Sequence, residues 1–179
     1  MNKSLLKKLV DCGFSIIPVD ENKCPIGAWK KHQSQARTKN EIDLLDSPLY
    51  GLVTGYNDLE VIDIDLKVFS TLQEQNDFFN EYLSFLRDNI DDFDKKFVIY
   101  KTKNQGYHIL YRCKTIAGNT KIAKLKGHKE AIIESRGKFG MVVIYENKIS
   151  KLSYSEIQLI SDRDREIAWS ISKTYNHID

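Results

Sequence analysis

With 179 residues, 41% of them hydrophobic and 29% charged, the chain suits one domain with a sizeable core and is too short for a second full one. No apolar run approaches a membrane span, and lysines interrupt the first apolar stretch, so neither a membrane anchor nor a signal peptide is expected. The net charge of +2 hides a segregation: residues 41–94 carry 2 Lys/Arg against 14 Asp/Glu (−12), whereas residues 95–151 carry 14 against 3 (+11).

In chain order, a helix is predicted over 3–12, stopped by Gly13, followed by a strand over 14–18. Residues 20–37 read as a long irregular loop holding Pro25, Gly27 and Trp29, and loops of that length in small domains are often functional. Thr38 with Glu41 makes a capping-box pattern that opens a short helix to about residue 46. Strands are predicted over 50–54 and 59–65, joined by the turn-forming 55–58. Apolar residues at 3–4 spacing from Leu72 to Leu86 predict an amphipathic helix over 70–89. A strand over 97–101 and one over 107–113 read as a hairpin across the polar turn Thr102–Gly106. Residues 114–129 are a lysine-rich connection without a clear pattern. Strands over 131–136 and 140–145 read as a second hairpin around Gly137-Lys138-Phe139-Gly140, and helices are predicted over 154–160 and 163–175. This pattern predicts an α+β fold with helices on a mainly antiparallel sheet.

Three of these strands carry chemistry. Leu59-Glu60-Val61-Ile62-Asp63-Ile64-Asp65 is an apolar strand ending in two carboxylates two residues apart, which alternation puts on one face. Two acids so placed repel unless a cation lies between them, and hard oxygen ligands favour Mg²⁺ or Mn²⁺. Gly106-Tyr107-His108 puts a small residue two positions before a histidine near a strand start. Ala131-Ile132-Ile133-Glu134-Ser135-Arg136 presents Glu134 and Arg136 on one strand face, where they serve a metal-bound triphosphate or simply pair with each other. Lys101 at the strand end and Lys103 in the turn are candidate phosphate or template contacts, or equally solvated lysines; Trp29 and Tyr56 are candidate stacking residues, and Trp29 is equally a core anchor for its loop. Cys12, Cys24 and Cys113 are widely separated, which suits a reducing cytoplasm and supplies no zinc-knuckle spacing, so no zinc is predicted.

The ordered set (D-x-D at a strand end, small-x-His, then an apolar strand ending in an acid) resembles the archaeo-eukaryotic primase superfamily, in particular its primase–polymerase (prim-pol) branch. Phe14-Ser15-Ile16-Ile17-Pro18-Val19, Lys23-Cys24-Pro25, Trp29-Lys30 and Tyr50-Gly51-Leu52-Val53-Thr54-Gly55 are similar to the opening of plasmid and phage prim-pol domains, and the resemblance covers most of residues 13–145. It implies an RRM-like antiparallel or mixed catalytic sheet with helices packed on it, plus a small N-terminal αβ unit. It implies a catalytic domain over 1–150, with 151–179 as a helical extension or as the start of a linker, the latter in a larger replication protein that continues into a helicase. The implied activity is template-dependent nucleotidyl transfer on single-stranded DNA, with a primer and ribo- or deoxynucleoside triphosphates as the other partners, in replication of a plasmid, phage or mobile element. Asp63, Asp65 and Glu134 would be the catalytic and metal-binding acids for two Mg²⁺ or Mn²⁺ ions. His108, Gly106, Arg136 and Lys103 would bind the nucleotide. A metal-dependent nuclease and a degenerate single-strand-binding module are the rival readings.

Overall fold

The computed structural model describes residues 1–177. It is an α+β structure of two antiparallel sheets and four α-helices. The strands are β1 (Ile16–Val19), β2 (Leu49–Val53), β3 (Leu59–Ile64), β4 (Val98–Lys101), β5 (Tyr107–Arg112), β6 (Thr120–Ala123), β7 (Ile133–Arg136), β8 (Met141–Val143) and β9 (Asn147–Lys148). The helices are α1 (Lys3–Asp11), α2 (Lys39–Asp43), α3 (Leu72–Asn89) and α4 (Asp162–Lys173). The large sheet has the order β6-β7-β3-β5-β4-β9 and the small one β1-β2-β8. No helix among the described residues is long and apolar enough to cross a membrane.

Alternation along β3 explains how the layers assemble. Ile62 and Ile64 point to one face of the large sheet, where they meet Ile109, Ile133 and the buried stripe Phe79, Tyr82, Leu83 and Leu86 of α3. Leu59 and Val61 point to the other face, where Leu6 and Leu9 of α1, Ile42 of α2 and Leu52 of the small sheet cover them. The large sheet is thus buried on both faces. Helix α2 starts at the expected capping box, in which Thr38 and Glu41 exchange hydrogen bonds. Thr71 and Glu74 form a second one at α3.

Four sequence expectations change. The strands around Gly137–Gly140 are not a hairpin: β7 pairs with β6 and β3 in the large sheet, and β8 pairs with β2 in the small one. The chain segment 137–140 therefore crosses between sheets, as does 54–58 between β2 and β3. The small unit is accordingly completed by β8 from late in the chain rather than being wholly N-terminal. The lysine-rich connection contains an edge strand, β6, and the predicted helix over 154–160 is a single 3₁₀ turn, Tyr154–Glu156.

Helix α4 docks on the helical face. Tyr82 and Ser172 share a buried hydrogen bond of 2.7 Å, and Lys96 pairs with Asp164 at 2.7 Å. The fully buried Glu60 carboxylate accepts from Arg165 Nε at 2.7 Å and Nη2 at 3.0 Å, from the Ala117 N–H at 3.0 Å and from the Tyr111 hydroxyl. Burial pushes the nearby Cys113 thiol up to about 12, with the Glu60 charge adding to it.

Candidate active site

Strand register gathers the candidate residues. Asp63 is the direct cross-strand partner of Glu134 on β7 and of His108 on β5, so the three side chains form one row across adjacent strands. The row continues to Lys121 on one side and Tyr100 on the other. Arg136, two residues after Glu134, stands on the same face. Asp65 lies just past the end of β3, its N–H held by the Ile132 carbonyl at 2.9 Å. These side chains share their sheet face with Val61 and Leu110, opposite α3 and α4.

A cleft of about 420 Å³ opens on this face. Asp63, Asp65, His108 and Arg136 line it from the large sheet, and Lys23, Pro25 and Trp29 line it from the long loop after β1. The expected functional loop is therefore brought to the acids. Gly106 lines the cleft too, but the need for glycine is internal: a Cβ there would lie 2.2 Å from the Ile64 carbonyl oxygen, at the end of the acid-bearing strand. Lys103 and Lys101 line a neighbouring depression instead, with Glu146 and Asn147. Tyr56 packs with the apolar cluster around Ile17, Val19 and Val143.

The acids are embedded in positive charge. Asp63 lies 3.5 Å from His108 Nε2 and 3.8 Å from Arg136 Nε. Burial would raise its carboxyl, but the His108 contact and the charges of His108, Arg136 and Lys23 outweigh that and hold it below the ordinary aspartate range. Glu134 accepts from Arg136 Nη2 at 2.7 Å, so the ion pair that their spacing allows is formed. Asp65 pairs with Lys67 at 2.8 Å, which holds that ammonium above its ordinary value. His108 is only 5% exposed, and its Nδ1 is buried without a hydrogen-bond partner.

Among the described residues, no three His, Cys, Asp or Glu side chains converge closely enough to hold a metal as they stand. The donor chemistry nevertheless suits a hard cation, since Asp63, Asp65 and Glu134 line one depression beside the cleft. Their present partners, Lys67 and Arg136, are partly exposed ion pairs that cost little to exchange.

Lys23 and Lys67 are cleft cations that the motifs did not single out. Lys67 had a local cue, two residues beyond Asp65. Lys23 lies in the Lys23-Cys24-Pro25 stretch of the resemblance, which gave it no role, and only the tertiary fold carries its loop across to β3. No protein-family model matches the chain, and a comparison with curated proteins returned no significant match.

Proposed function

We propose that the protein is a template-dependent nucleotidyltransferase of the prim-pol type, joining nucleoside triphosphates on single-stranded DNA with release of pyrophosphate. The observation that carries this reading is the cross-strand row Glu134–Asp63–His108 beside a cleft that also presents Lys23, Lys67 and Arg136. An acid row with cations beside it matches the needs of phosphoryl transfer, which are positioning and charge stabilisation. The prim-pol fold belongs to the same proposal: a large antiparallel sheet with helices on one face and a small αβ layer on the other agrees with it. So does a setting in the replication of a plasmid, phage or mobile element alongside a helicase.

Asp63, Asp65 and Glu134 would hold Mg²⁺ or Mn²⁺, which supplies Lewis-acid stabilisation of the attacking and leaving oxygens. Asp63 stays ionised because of its cationic surroundings and is ready to act as a ligand. Arg136 would exchange Glu134 for triphosphate oxygens, which its planar guanidinium can meet in bidentate fashion. Lys23 and Lys67 would neutralise the remaining phosphate charge, and His108 would offer a ring N–H to a phosphate oxygen.

The test is primer synthesis and extension on single-stranded DNA with labelled nucleotides and Mg²⁺ or Mn²⁺, with Asp63→Ala/Asp65→Ala as the control. Products from the wild type that vanish in the double variant are expected. An absence of products on both unprimed and primed templates refutes the reading, and release of fragments without any triphosphate requirement replaces it with a nuclease.

A further inference from the structure

We propose that Phe139 is the platform on which the base of the bound nucleoside triphosphate stacks, an inference that rests on the nucleotidyltransferase reading of the cleft. Phe139 lines the same cleft as Asp63 and Arg136, yet it is 73% exposed. It is also a non-glycine residue in the left-handed region, with φ of 65°. An exposed phenylalanine in that conformation fills no core and suits no turn, since such positions favour Gly or Asn. Backbone outliers of this kind persist where the surroundings impose them, and they gather at ligand sites.

The surroundings of this turn do impose it. The Lys138 N–H donates to the Ala117 carbonyl at 2.8 Å, and the Gly137 N–H to Asn119 Oδ1 at 3.2 Å. Thr54 clamps both ends, its hydroxyl donating to the Gly137 carbonyl at 2.6 Å and its N–H to the Gly140 carbonyl at 3.0 Å. Neither flanking glycine has room for a side chain. A Cβ on Gly137 would lie 1.9 Å from the Ala117 carbonyl oxygen, and one on Gly140 would lie 2.5 Å from Asn119 Oδ1. The backbone is thus held between two segments while the ring stays largely in solvent, a preorganised aromatic surface that stacks on no other ring among the described residues.

Chemistry and position both select a nucleobase. Phe139 lies three residues beyond Arg136, so one short segment offers a guanidinium to phosphate and a flat apolar face to the far end of the same ligand. A ligand with both features is a nucleotide, and the cleft volume falls in the ordinary range for small-molecule sites. Stacking on a ring also tolerates all four bases, as copying a template requires.

Isothermal titration of dATP and of inorganic tripolyphosphate, each with Mg²⁺, into wild type, Phe139→Ala, Phe139→Asn and Phe139→Trp tests this, with melting temperature as the folding control. Phe139→Asn suits the left-handed position and keeps the result independent of backbone strain. The Ala and Asn variants are expected to bind dATP about 5- to 100-fold more weakly, the loss of one base–aromatic stack. Tripolyphosphate affinity is expected to stay unchanged and Phe139→Trp to retain wild-type dATP affinity. Unaltered dATP affinity in the Ala and Asn variants overturns the platform and leaves the nucleotide reading standing. An equal loss for tripolyphosphate also overturns it, because the turn would then be shaping the phosphate site. Failure of the wild type to bind dATP refutes the nucleotide reading itself, and the platform with it.

Discussion

Single residues decide whether the row of acids is usable. Arg136 touches both Glu134 and Asp63, so on the proposed reading it is the group that trades a protein carboxylate for a substrate phosphate. Arg136→Ala is expected to raise KM for the nucleotide about 10- to 100-fold, the worth of a hydrogen bond to a charged group. Arg136→Lys should not restore it, because a point charge cannot replace the bidentate fork. Steady-state kinetics check both, and an unchanged KM would return Arg136 to a purely structural ion pair. Gly106 acts one step back. Its Gly106→Ala variant forces a methyl against the Ile64 carbonyl and should cost about 1–3 kcal/mol, the usual penalty of overpacking. Urea unfolding measures that cost, and a change within about 0.5 kcal/mol would mean that the strand end simply relaxes.

At the scale of elements, the acid-bearing strand β3 is anchored from both faces, and its hidden anchor is Glu60. Arg165→Met leaves that carboxylate buried without its cation and is expected to cost about 3–5 kcal/mol in denaturant unfolding. Adding Glu60→Gln should recover much of the loss, since removing both charges avoids the stranded one; a double variant no better than the single would show that Arg165 acts through packing on Trp169. The sequence was legible for Asp63, His108 and Glu134 because period-2 alternation and strand ends are local signals. It was also legible for the Thr38–Glu41 capping box of α2 and for the face of α3. Glu60 was not, as its counter-charge lies 105 residues away on α4. The misread hairpin has the same origin. Gly137 and Gly140 look like turn residues, but their smallness is demanded by Ala117 and Asn119, which local reading cannot supply. Strand β6 escaped notice because two of its four residues are exposed and three of the six residues after it are lysines.

For the whole molecule, the basic segment 95–151 supplies both edges of the large sheet, β6 and β9. The β6 edge of the large sheet carries Lys121, the cross-strand partner of Glu134, and the loop that follows carries the exposed His128 and Lys129 beside Asp65. Asp65 borders the cleft, the depression it shares with Asp63 and Glu134, and a further one lined by His128 and Lys129, so the acids stand between the cleft with its lysines and a basic edge. In-line displacement brings the attacking hydroxyl from the side away from the leaving pyrophosphate. On the proposed reading, a nucleotide in the cleft therefore leaves the β6 edge for the strand end. Each lysine that neutralises a phosphate of single-stranded nucleic acid adds about −0.7 to the slope of log affinity against log salt. Lys121→Gln/Lys129→Gln should then flatten the slope for an oligodeoxynucleotide by about 1.4. Lys148→Gln, on the opposite β9 edge, should leave it unaltered. Fluorescence anisotropy over a salt series reads the slopes directly. Flattening from both edges would make the attraction diffuse, and flattening from neither would remove the β6 edge from the path of the strand.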